Sequence, residues 1–265
     1  MKKVCSLLVI LIVSHFVVSA QYNKGSIYID GSVNFSNDNM NVHKIGVDDI
    51  SKSKNFIVTP SIGYFIRNNF AIGIGLEYQS LYSLSSSITG SNFLNGVLTD
   101  RILDVTTTNW KEVAPMVFAK YIFPISDKVS FSLKAKFSHG LLTYNVSVAS
   151  NAFAYDSNGN ITNQTESEIK SDEKARQTNR FNLSPELQYL ITDKIGLQVN
   201  FTGLSYSSVP VIQSAYETID GMGFDHVFYY GNQKATTFNI NPSSWSFGLF
   251  ILLGGKDSKE TKDPK

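Results

Sequence analysis

Beyond its leader the 265-residue chain has no cysteine, the only one being Cys5. An exported protein without disulfides must be held by its own hydrogen bonds and packing. Charge is sparse as well. Charged side chains make up 17% of the chain and the formal net charge is +1, far from the basic excess that a nucleic-acid-binding surface needs. After residue 20 no apolar run reaches the ~18 residues of a transmembrane-helix candidate. Histidine occurs four times. His43, His139 and His226 are widely separated and form no ligand cluster, so no metal is expected. Nor is a cofactor expected. Gly73-x-Gly75 lies inside an alternating strand with no helix after it, so it reads as small interior residues and not as a nucleotide loop.

The leader itself is informative. Lys2 and Lys3 precede an apolar run from Val4 to about Val18, and Val18-Ser19-Ala20 follows as a small-residue cleavage site. Residues 1–20 therefore read as a secretory signal peptide, the run being too short for a membrane anchor. Cys5 leaves with it. The remaining chain has 21 basic and 22 acidic residues, a formal charge of −1.

What is abundant is hydrophobicity spread by alternation: 42% of residues are hydrophobic, with 18 Phe and 13 Tyr. Phe56 to Leu81 shows the pattern most clearly. Phe56, Val58, Pro60, Ile62, Tyr64 and Ile66 share one face, and Phe70, Ile72, Ile74, Leu76 and Tyr78 continue it after a turn at Arg67-Asn68-Asn69. The opposite faces are small or polar. Side chains alternate across a strand with period two, so this is a hairpin of two amphipathic strands. Similar segments occur at about 26–35, 112–123, 129–137, 181–191, 195–202 and 243–253. Short turns at Pro124–Lys128 and Thr192–Lys194 alternate with long polar connections at 36–54, 83–109, 143–178 and 207–237. The longest of these contains the turn signal DSNGN at Asp156–Asn160, and its flanks can extend the neighbouring strands as a hairpin. Eight strands result, with both termini on the short-turn side. The pattern predicts an all-β fold: an eight-stranded antiparallel up-and-down transmembrane β-barrel with short periplasmic turns and long extracellular loops. The barrel occupies 21–253, and residues 254–265 form a charged, disordered periplasmic tail.

The apolar faces carry no charge. Asp30, Glu77, Glu112, Lys120, Lys134, Lys136 and Glu186 all fall on the polar faces. A charge against lipid costs about 2–4 kcal/mol at the bilayer midplane, so these point inward. Since eight strands enclose just enough space for side chains, they read as a packed polar core with paired charges, not as a channel lining. Aromatic residues gather where two girdles are expected. Tyr64, Phe70, Tyr121, Phe123 and Tyr189 lie beside the short turns, and Tyr78, Tyr82, Trp110, Tyr206 and Trp245 lie towards the long loops. Pro60, Pro115, Pro185 and Pro242 each sit in or just before a strand returning from a long loop. Proline gives no ladder hydrogen bond, so a bulge or water must absorb each defect.

With its signal peptide, the P-x-I-G-Y-F-I unit at Pro60 to Ile66 and its last strand, the chain resembles small outer-membrane β-barrel proteins of the OmpA/OmpX kind, particularly the outer membrane protein beta-barrel domain family common in Bacteroidota. Ser246, Gly248, Ile251 and Leu253 are similar to the C-terminal signal read by the barrel-assembly machinery, although Leu253 is not aromatic and twelve residues follow it. The resemblance implies a cell outer membrane location among outer-membrane lipids and lipopolysaccharide, and possible host or surface ligands at the loops. It also implies a structural or surface-interaction role, with a narrow pore or transport accessory as the alternative. A lipid A-modifying enzyme is a distant option. It would need a Ser/His pair at the outer rim, but Ser138 and His139 point to opposite faces and no catalytic residue is assigned. A soluble lipocalin-like barrel would reverse the faces, with its apolar side within.

Overall fold

The computed structural model describes residues 22–44, 47–94, 97–171, 174–218, 224–239 and 244–254. Residues 1–21, on which the expected signal peptide falls, those beyond Gly254, on which the expected tail falls, and Pro242 lie outside the described residues. Eleven strands are described: β1 (Ile27–Lys44), β2 (Val47–Arg67), β3 (Phe70–Leu94), β4 (Val97–Pro124), β5 (Val129–Tyr155), β6 (Ile161–Lys170), β7 (Lys174–Leu190), β8 (Ile195–Asn200), β9 (Gly203–Thr218), β10 (Phe224–Asn239) and β11 (Ser246–Leu253). All pair antiparallel in one sheet.

Eight of them form a closed ring. β1 to β5 pair in succession, β5 pairs with β7, β7 with β8, β8 with β11, and β11 returns to β1. Those eight coincide with the eight amphipathic segments, although the last begins at Ser246 and not at 243. The other three strands stand above the ring at the long-connection end. β6 pairs with the far half of β5, from Ser147 to Tyr155. β9 continues β8 after a break at Phe201-Thr202, and β10 folds back on it.

The polar stretches at 36–54, 83–109 and 207–237 are thus mostly strand among the described residues, where connections were expected, and at 143–178 the flanks extend β5 into the hairpin with β6 that the DSNGN turn pointed to. The physical reason is the solvent. Alternation reveals a strand only when one face meets hydrocarbon and the other does not. Above the apolar band both faces can be polar, and only the backbone ladder remains.

The prolines interrupt single ladders. β2 and β3 lose register partners at Thr59-Pro60, between Val58↔Tyr78 and Ser61↔Gly75. β4 and β5 lose them at Ala114-Pro115, between Val113↔Leu141 and Met116↔Ser138. At Ser184-Pro185, β7 passes from pairing with β9 to pairing with β8, and Phe201 N donates to Pro185 O at 2.9 Å. Each proline keeps its ladder on the other side, at Gly31, Leu76 and Leu133.

Two of the short turns use one device. Ser126 Oγ accepts from Val129 N at 3.1 Å, and Thr192 Oγ1 accepts from Ile195 N at 3.0 Å. The matching pentapeptides ISDKV and ITDKI account for this, because a hydroxyl three residues before the strand caps its first amide. In the third turn Asn69 adopts φ 63°, a left-handed conformation that asparagine tolerates better than most residues.

Ile74, Val117 and Leu141, at 61%, 55% and 56% exposure, stand on the outer wall, whereas Lys120, Glu112 and Glu186 inside are at 0–1%. An apolar exterior around a charged interior fits a hydrocarbon solvent. The turn end of the lumen is closed by an apolar cluster that includes Tyr22, Phe65, Ile122, Leu190, Phe250 and Leu252. Interior glycines make room for these rings and others. A Cβ on Gly196 would meet the Phe250 ring at 2.3 Å, and one on Gly73 would meet Phe118 at 2.4 Å and Ile62 O at 2.3 Å. A Cβ on Gly31 would touch nothing within 4 Å. Gly73→Ala should therefore destabilise the barrel by about 1–3 kcal/mol, the usual effect of overpacking, while Gly31→Ala should be tolerated. Urea unfolding of both variants in lipid vesicles checks this, and equal stabilities would contradict it.

Candidate functional site

Alternation along four strands brings Asp30 of β1, Lys120 of β4, Lys134 of β5 and Glu186 of β7 into one space. Lys134 Nζ lies 3.0 Å from Asp30 Oδ2, and Lys120 Nζ 2.5 Å from Glu186 Oε2. Neutral groups complete the network. Lys120 donates to the Tyr28 hydroxyl at 2.5 Å, which donates to Gln198 Oε1 at 2.7 Å and accepts from Gln188 Nε2 at 3.1 Å. Ser132 donates to Glu186 at 2.9 Å, and Ser61 donates to Asp30. Aromatic faces take up the cationic heads: Lys120 Nζ is 4.4 Å from the Tyr28 ring centre and Lys134 Nζ 4.4 Å from that of Phe118.

A second tier lies nearer the long hairpins. Lys136 pairs with Glu77. Arg180 bridges two carboxylates, with Nη1 3.4 Å from Glu77 Oε1 and Nη2 2.5 Å from Glu112 Oε2. Thr178 also donates to Glu112. The seven charges identified from the sequence are four acids and three lysines, and Arg180 is the cation that balances them. The alternation marks its strand only from Phe181, so Arg180 falls one residue outside the amphipathic segment. The signal was present, since Asn182 faces inward and a step of two keeps a side chain on the same face. Pairing matters here because an uncompensated buried ion costs several kcal/mol.

Above these tiers the lumen is not filled. A cavity of about 530 Å³ extends from Lys134 and Glu186 at its base to Ser36, Ser207 and Ser244 at the long-hairpin end. Glu77, Lys134, Lys136 and Glu186 border it, while Asp30, Glu112 and Lys120 lie within the packed part. The expectation of a core packed throughout is corrected to a packed lower half with an open mouth. The walls supply the reason: Ser32, Asn34, Thr59, Asn182 and Ser184 are too short to meet across the lumen.

The aromatic residues divide. Tyr64, Tyr121 and Tyr189 are exposed on the outer wall, and Phe70 and Tyr78 are half-buried. Tyr121 joins a row of outer rings, 6.5 Å from Phe70 and 4.6 Å from Phe123. Trp110 is a correction. It borders the cavity, and Arg180 lies 5.7 Å from its ring centre. Its parity with Glu112 dictates the inward face, whatever the preference of tryptophan for interfaces. Trp245 meets Phe201 edge-on at 4.9 Å. Phe201 sits at the β8–β9 break and also borders the cavity.

In β11, Ser246 accepts from Asn200 Nδ2 at 3.0 Å, and Gly248 packs against the Gly31 carbonyl. Ile251 and Leu253 face outward. Ser138 is buried inside the wall, while His139 is exposed and 2.9 Å from Asn179 Oδ1.

Removing Arg180 should leave Glu112 without a cation and Glu77 with Lys136 alone. Arg180→Met should destabilise the barrel by about 3–5 kcal/mol, as for other broken buried pairs, and adding Glu112→Gln should recover part of the loss. Glu168→Gln, which removes an ion pair exposed at 62% and 47%, should change stability by less than ~0.5 kcal/mol. Urea unfolding in vesicles measures all three, and a neutral Arg180→Met would refute the compensation.

The outer membrane protein beta-barrel domain family matches residues 5–249. Similar solved structures include Neisserial surface protein A, at 14% identity over 86% of this chain and 99% of that one with a TM-score of 0.33. Ail, the attachment invasion locus protein of Yersinia pestis, is 11% identical over 87% and 99%, with a TM-score of 0.28. OprG from Pseudomonas aeruginosa is 10% identical over 89% and 100%, with a TM-score of 0.39. No curated protein matches. Since the family match runs from residue 5 into the last strand of the ring, this chain belongs to the outer membrane protein beta-barrel domain family.

Proposed function

We propose that this outer-membrane barrel is a surface-interaction protein that presents its long hairpins as a binding platform. The observation that carries the reading is strand length. A membrane-crossing strand needs only ~9–11 residues, yet β4 has 28 and β5 has 27. On β5 the exposed large apolar residues end at Leu141. At about 3.3 Å per residue the strand continues roughly 45 Å further, to Tyr155. The β5–β6 hairpin ends in a firm turn. Asp156 accepts from the amides of Asn160 at 2.8 Å and Asn158 at 2.9 Å, and these bonds hold its carboxyl below the usual range. Phe93 and Leu94, both 66% exposed, add apolar contact surface at the end of β3. Rigidly mounted loops are where binding is usually found.

In this reading the leader is removed on export and the tail beyond Gly254 stays in the periplasm. β11, with Ser246, Gly248, Ile251 and Leu253, is the segment offered to the barrel-assembly machinery. The outer wall contacts membrane lipid and lipopolysaccharide. The pore alternative is disfavoured by the apolar cluster across the turn end. A lipid A-modifying role is disfavoured by the opposed faces of Ser138 and His139.

Intact cells with and without the protein can be screened against lipopolysaccharide, matrix proteins and host receptors. Deleting 147–170 should then abolish binding while the barrel still folds, as judged by its heat-dependent gel shift. Unchanged binding would exclude this hairpin as the binding element. In planar bilayers the purified protein should give no steady conductance, and a stable open level would favour the pore.

A further inference from the structure

We infer that the cavity at the barrel mouth binds a small, neutral, polyhydroxylated molecule of mono- or disaccharide size. This site lies inside the wall and is separate from the hairpin surface proposed above. Three observations converge on it.

The first is charge. Every charged residue bordering the cavity is already in an ion pair: Lys134 with Asp30, Lys136 with Glu77, Arg180 with Glu77 and Glu112, and Glu186 with Lys120. A charged ligand would have to compete with those pairs, whereas a neutral one would not.

The second is unmet hydrogen bonding. Trp110 Nε1 and Asn200 Oδ1 are buried and have no partner among the described residues. Both residues border the cavity. One is a donor and the other an acceptor, and buried polar groups left unmatched call for a partner. A hydroxyl both donates and accepts, so a polyol in the cavity can answer both kinds of group once either side chain turns from the wall towards the lumen. The remaining wall, with Ser32, Asn34, Thr59 and Asn182, offers the short hydroxyls and amides that hydrogen-bond hydroxyls in either sense.

The third is shape. At about 530 Å³ the cavity lies within the ~300–1,000 Å³ typical of small-molecule sites. Trp110 and Phe201 supply apolar ring surface for the C–H faces of a sugar. Ordinary ligand pockets likewise combine such apolar surface with a few placed polar groups.

The test uses the full chain refolded in a detergent without a sugar headgroup, with glucose, maltose and sucrose as neutral probes and glucuronate and glucose 6-phosphate as charged ones. Calorimetry should show saturable binding of at least one neutral sugar and weaker binding of the charged ones. The chain has two tryptophans, so in Trp245→Phe the fluorescence reports Trp110 alone, and it should change on titration. Trp110→Phe should weaken binding about tenfold, and Thr59→Phe, which fills the cavity without removing an ion pair, should abolish it. The gel shift confirms that each variant is folded. Deletion of 147–170 should leave sugar binding intact, which separates this site from the hairpin reading. No saturable binding by any neutral probe, preference for the charged probes, or unchanged affinity in both cavity variants would each overturn the proposal.

Discussion

The structure depends on closing a ring of backbone hydrogen bonds. Inside hydrocarbon no water can satisfy an exposed N–H or C=O, and each unmet group costs several kcal/mol. A sheet can cross the membrane only if its first and last strands pair. Here β1 and β11 do so over Ile27–Val33. That seam explains why β11 is only eight residues long, while β3 to β5 run on for 25 to 28. β11 has only to seal the apolar band, whereas the others also build the hairpins.

Closure creates a second constraint, because the inward faces are cut off from water. Among the described residues alternation places Asp30, Glu77, Glu112 and Glu186 there beside Lys120, Lys134, Lys136 and Arg180, and each must meet its opposite. The lower tier does so through single lysine–carboxylate pairs and the upper tier through Arg180, whose fork reaches both Glu77 and Glu112. A planar guanidinium with five donors can bridge two carboxylates in a way that suits arginine better than a compact ammonium. Glycine takes part in the same packing. Rings such as Phe118 and Phe250 fill the lumen because Gly73 and Gly196 present no Cβ to them.

These demands divide the molecule along its axis. The turn end is packed and apolar, the middle is packed and charged, and the far end opens into a polar cavity beneath long hairpins.

The eight ring strands and the inward charges from Asp30 to Glu186 were legible in the chain, because hydrocarbon on one side imposes a strict period of two. Pro60, Pro115 and Pro185 were also legible as points where a ladder must lose a bond. Three things were not. The extensions of β2 to β4 carry no clear period, since neither face is forced to be apolar above the bilayer, and that of β5 was signalled mainly by the DSNGN turn. Arg180 and Trp110 followed from parity alone, and their residue types pointed the wrong way or nowhere. The cavity depends on how side chains from opposite walls meet across the lumen, which no single strand encodes. The sequence by itself determined which face of each strand meets lipid, because that choice is local and set by solvent. Only the tertiary structure decided which charges pair and where the lumen stays open, because those outcomes require residues as distant as Asp30 and Lys134 to share one closed space.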